Sequence, residues 1–139
     1  MPGDPKMGDL VKAAVDPYPA EYGGCEFVGE HLRIPGTIAT SMTMVLHELA
    51  TNAAKHGALR STGGKLKVAW RQETSSDGVR QLHISWHEVA APRPYTKGAA
   101  DGAGYGTALI DSTIATLGGR IDRSSGDDNF CVRMLVPFG

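Results

Sequence analysis

Hydrophobic and polar positions follow two different periods along this chain, and the period assigns the elements. Ile38, Met42, Val45, Leu46, Leu49 and Ala53 recur at three- and four-residue intervals, which at about 100° per residue is one face of a helix. Pro35-Gly36 breaks the chain before this run, Thr37 can cap it and Gly57 can stop it, so a helix is predicted from Thr37 to about His56. Alternation takes over afterwards. Leu66, Val68 and Trp70 fall on one face of residues 65–73, and Leu82, Ile84 and Trp86 on one face of residues 79–88, with the turn Ser75-Ser76-Asp77-Gly78 between them. That is an antiparallel hairpin.

The remaining segments complete the set. Residues 9–15 read as a short helix stopped by Asp16-Pro17 and Pro19, and residues 25–34 as a strand or short strand pair with Gly29 near the middle. A second helix is predicted from about Tyr105 or Thr107 to Leu117, with Leu109, Ile110, Ile114 and Leu117 as its apolar stripe and Gly118-Gly119 as its stop. Residues 120–124 and 129–136 form a last hairpin. The order strand, long helix, hairpin, helix, hairpin predicts a two-layer α/β sandwich, a mixed and mainly antiparallel sheet covered on one face by helices.

Composition narrows this. The 139 residues suffice for one domain, assigned to residues 9–139, with residues 1–8 (two prolines, two glycines) as a disordered lead-in. A net charge of −1 argues against a nucleic-acid binder held by phosphate contacts. Cys25 and Cys131, far apart in apolar surroundings, read as buried free thiols of a reducing compartment. No signal peptide and no membrane-spanning run is visible, so a soluble, cytoplasmic domain without membrane contact is expected.

The chemistry concentrates in residues 47–60, HELATNAAKHGALR. Glu48, Asn52 and Lys55 stand at i, i+4 and i+7, so they share one narrow helical stripe beside the apolar one. Such a stripe can present oxygen ligands to Mg²⁺ and a cation to a phosphate; a solvated polar face is the competing reading. A zinc-protease helix is excluded, because the second His would have to stand at position 51, which is Thr. Gly102, Gly104 and Gly106 enter the second helix and can offer backbone N–H groups to a polyphosphate. Neither the dinucleotide fingerprint nor a Gly-Lys-Ser/Thr phosphate loop is present. Trp86-His87-Glu88 ends a strand, with Trp86 as a core aromatic and Glu88 placed either in solvent or against an exocyclic amine. Residues 89–104, with two prolines and almost no large apolar side chain, read as a mobile loop.

Together these segments resemble the GHKL superfamily of ATP-binding domains, which includes gyrase, MutL and the histidine kinases. HELATNAAKHGAL resembles its asparagine box, Gly104 to Ile110 its later glycine box, and the closing VRMLVPFG its last strand. His47 and Trp86-x-Glu88 match the HWE subgroup of sensor histidine kinases. The resemblance implies a Bergerat-type ATP site in a catalytic domain that positions Mg·ATP for transfer to a histidine on a separate helical dimerisation and phosphoacceptor domain, and so indirectly to a response regulator. It implies that Asn52 coordinates Mg²⁺, that Glu48 orders or deprotonates the attacking group or holds a metal-bound water, and that Lys55 approaches the phosphates. His56 would pack near the nucleoside, Glu88 would read the adenine amine, and Gly102, Gly104, Gly106 and Thr107 would lie along the nucleotide, with residues 89–104 as a lid. The subgroup tends to have Gly-Gly-Pro after Trp-x-Glu, where this chain has Ala90-Ala91-Pro92. None of His31, His47, His56, His83 or His87 sits in a phosphoacceptor context. A regulatory nucleotide-binding module without kinase activity, and an anti-sigma-type serine kinase, are the alternatives.

Overall fold

A computed structural model describes residues 4–17, 23–59, 64–89, 104–126 and 129–138. Among these residues eight elements follow one another: α1 (Met7–Val15), β1 (Gly23–Gly29), α2 (Gly36–His56), β2 (Gly64–Thr74), β3 (Arg80–Val89), α3 (Gly104–Thr116), β4 (Arg120–Ser125) and β5 (Asn129–Pro137). The strands make one five-stranded sheet in the order β1-β2-β3-β5-β4. Only β1 and β2 run parallel; the other three pairings are antiparallel.

Register explains the layering. Val68 faces Trp86, which faces Val132, and Trp70 faces Ile84, which faces Met134. Because side chains alternate along a strand, these rows all point to one side. There they are buried together with Met42, Val45, Leu46 and Leu49 of α2, Val11 of α1, and Ile110 and Ile114 of α3. The helices therefore cover one face, as the patterning predicts, and α2 packs against both α1 and α3. The other face carries Lys65, Lys67, Arg71, His83, His87 and Arg133, none of them buried.

Several boundaries differ from expectation for identifiable reasons. Residues 4–8 are built into the fold rather than forming a lead-in. Met7 is fully buried, its N–H donates to the Leu32 carbonyl at 2.8 Å, and Ile34 N–H donates to the Pro5 carbonyl at 3.0 Å. Leu32–Ile34 thus run beside the N-terminal segment, and β1 ends at Gly29. Gly29 is required there because the Trp70 ring occupies the space of any side chain. Thr37 does not cap α2. The helix begins at Gly36, and the Pro35 carbonyl accepts the N–H groups of Ile38 and Ala39. On α3, Leu109 is exposed and Thr113 is buried in its place. Ile110, Thr113, Ile114 and Leu117 are the true i, i+3, i+4, i+7 set. Cys25 and Cys131 are free thiols, as expected, but half-buried rather than buried.

Candidate functional site

The apolar stripe of α2 is buried as predicted, with Met42 and Leu46 fully enclosed, and this orients the polar stripe. Glu48 and Asn52 are half-buried, and Lys55 and His47 are exposed. One helical turn separates the Glu48 carboxylate from the Asn52 amide. Among the described residues no three His, Cys, Asp or Glu side chains converge on a metal position. Mg²⁺ takes near-octahedral oxygen coordination, keeps several waters and draws on substrate phosphates. One or two oxygens on α2 fit an ion held in that way, and they do not make a self-sufficient protein cage.

The sequence left Glu88 between solvent and ligand, and the structure removes it from solvent. Glu88 lies on the core-facing side of β3 and is 4% exposed, and it and Thr113 are the only polar residues buried among those described. Its Oε1 accepts the Ala58 N–H at 3.0 Å, and its Oε2 accepts the Trp86 indole N–H at 2.8 Å. Burial pushes its carboxyl above the usual carboxylate range, and those two hydrogen bonds partly oppose the push.

The end of α2 explains why the carboxylate is needed. Gly57 and Leu59 both donate their N–H groups to the Ala53 carbonyl, at 3.0 and 3.1 Å. Ala58, buried between them, donates its N–H to Glu88 instead of to a helix carbonyl. Gly57 does end the helix, but not through a left-handed conformation, since its φ is −132°. Glycine is needed because a Cβ would collide with Glu88 Oε1. Gly64 is similarly constrained by the Ala58 carbonyl.

The structure thus brings Glu88 to the C-terminal end of α2, bonded to Ala58, two residues beyond His56 and three beyond Lys55. Gly104, Gly106 and Thr107 lie in the first turn of α3, so the glycine segment does open a helix. Gly102, and residues 90–103 of the expected lid, lie outside the described residues, as does Ala90-Ala91-Pro92. Missing from the sequence-based site are Trp86, Gly57 and Ala58 as partners of Glu88. The i, i+2 spacing of Trp86 and Glu88 on one strand face was the available signal.

A groove of about 740 Å³ lies elsewhere, on the bare face of the sheet, lined by Arg71, His83, Ser85 and Arg133 among others. It is separated from the α2 stripe by the thickness of the sheet. Among the described residues no helix is long and apolar enough to cross a membrane.

No protein-family model matches the chain. It is 31% identical over 132 residues to the blue-light-activated histidine kinase of Rhizobium johnstonii, a match covering 94% of this chain and 36% of that protein. It is also 31% identical over 132 residues to blue-light-activated histidine kinase 1 of Erythrobacter litoralis, covering 94% and 35%. The chain therefore spans about a third of the length of these relatives. The catalytic domain of histidine kinase ThkA superposes with a TM-score of 0.71 at 16% identity, over 97% of this chain and 95% of that one. The blue-light activated histidine kinase of Erythrobacter litoralis superposes with a TM-score of 0.70 at 16% identity, over 95% of this chain and 40% of that one. The fold is that of histidine kinase catalytic domains. Along nearly its whole length the chain is thus similar to part of these histidine kinases, and His47 and Trp86-x-Glu88 are the residues of the HWE type.

Proposed function

We propose that this domain binds Mg·ATP between the polar stripe of α2, the end of β3 and the N-terminus of α3, and presents the γ-phosphoryl to a histidine on a separate helical domain. The observation that carries the proposal is the placement of Glu88, an acid fixed beside the last turn of the helix that bears Asn52 and Lys55. Isolated buried carboxylates are expensive, and one kept here with a glycine cleared for it fits a base-reading role.

In this reading Asn52 offers a neutral oxygen to Mg²⁺, and Glu48, one turn before it, holds a metal-bound water or accepts a proton from the attacking group. Lys55, exposed at the end of the stripe, supplies positive charge toward the phosphates. The backbone N–H groups of Gly104, Gly106 and Thr107 open α3 and favour an anion there. A metal held at Asn52 would neutralise charge on the phosphates, and the protein's share is positioning.

The test is reconstitution. The domain, a supplied phosphoacceptor domain of a related kinase and γ-labelled ATP with Mg²⁺ are expected to give acid-labile, base-stable label on the acceptor. Acid-stable label would assign a serine kinase instead. Nucleotide binding without any transfer would assign a regulatory module.

A further inference from the structure

Glu88 carries its charge into the layer between sheet and helices, and three neighbours determine how it stands there. Trp86 and Glu88 are two residues apart on β3, so they share a face, and the indole N–H reaches along the strand to Oε2 at 2.8 Å. Oε1 takes the Ala58 N–H from beyond α2 at 3.0 Å. The donors come from different elements and engage different oxygens, so they fix the plane of the carboxylate as well as its position. Gly57 leaves the opening in which Oε1 sits. An ionised carboxylate has about four acceptor sites, and these contacts use one on each oxygen.

We propose that Trp86 and Gly57 are positioning residues for base recognition: the indole N–H and the missing side chain together aim the free acceptor sites of Glu88 at a purine 6-amino group. This rests on the reading of the domain as an ATP site. Phe at position 86 keeps a ring in the core but leaves Oε2 without its donor. The carboxyl then turns or takes up a proton, and a protonated carboxyl donates to a 6-oxo purine as readily as it accepts from a 6-amino one. Ala at position 57 reaches the same end from the other side. The backbone there accepts a side chain, and the nearest atom to yield is the end of the Glu88 side chain.

ATP and inosine triphosphate differ at the 6-position of the purine and so probe this contact. Their affinities are to be measured calorimetrically, with Mg²⁺, on the unaltered domain, Trp86→Phe and Gly57→Ala, each checked for a cooperative thermal transition. The unaltered domain is expected to prefer ATP by at least about tenfold, and each variant to bring that ratio below about threefold while binding inosine triphosphate within about threefold of the original. A merely structural role for Trp86 and Gly57 would weaken both nucleotides together and leave the ratio alone. A preserved ratio in folded variants overturns the positioning role and leaves the ATP site standing. Equal affinity for both nucleotides in the unaltered domain also overturns it, and no affinity for either removes the ATP reading as well. Should Trp86→Phe fail to fold, Gly57→Ala decides.

Discussion

The Glu88 carboxylate occupies the space that a side chain on Gly57 would need, so these two residues, 31 positions apart, form a matched pair. The pair joins the end of α2 to the end of β3. It lets a buried acid satisfy the Ala58 N–H, which makes no bond to a backbone carbonyl. Four predictions follow from this geometry and from the surrounding fold.

Glu88→Ala removes an acceptor from two buried donors, the Ala58 N–H and the Trp86 indole N–H. Each stranded donor costs about 1–3 kcal/mol, offset in part by relief of the buried charge, so a net loss of about 2 kcal/mol in urea unfolding is expected. A change below about 0.5 kcal/mol would mean that both groups find other partners. Nucleotide measurements on this variant therefore need a parallel stability measurement.

Asn52→Ala acts on the polar stripe, where the side chain is half-buried and outside the apolar core. Stability should change by no more than about 1 kcal/mol, while Mg²⁺-dependent ATP binding falls by at least about tenfold. Calorimetry that shows unchanged Mg·ATP affinity would refute the metal assignment.

Two glycines should respond in opposite senses to alanine. Gly118, closing α3, has φ +76°, where a Cβ costs about 1–2 kcal/mol. Gly36, at the start of α2, has open space around a built Cβ and no positive φ, so Gly36→Ala should stabilise by about 0.4–1 kcal/mol through the unfolded chain. Chemical denaturation of both variants checks this, and equal shifts would contradict it.

His83 lies on the bare sheet face, where desolvation, then the charges of Arg71 and Arg133, lower its pKa, with Glu73 opposing. The folded form therefore releases the proton more readily than the unfolded chain, whose His titrates near about 6.5. Its contribution to stability is complete above that value and is lost as pH falls through it toward the lower folded pKa. Imidazole shifts followed by NMR should place His83 below an ordinary histidine, and Arg71→Gln should move it back up. No movement in that variant would remove Arg71 as a cause.

Patterning alone determined the layer arrangement. Ile38 to Ala53 on α2, and the alternating Leu66, Val68, Trp70 and Leu82, Ile84, Trp86, mark one buried face each, because apolar periodicity records burial directly. The same pattern separated Glu48, Asn52 and Lys55 from the core, since spacing along one helix needs no knowledge of its neighbours. Met7 and Pro5 could not be placed this way. Their roles depend on Leu32 and Ile34, which meet them only after the chain has turned back. Glu88 shows the limit most clearly. At a strand end, an acid reads as solvated, and only the docking of α2 across the sheet encloses it and aims Ala58 N–H at Oε1. The requirement at Gly57 is likewise invisible locally, because its backbone is one that any residue can adopt and the obstruction comes from another element. Periodicity reports which side of an element is covered; which group covers it is decided by contacts distant in sequence.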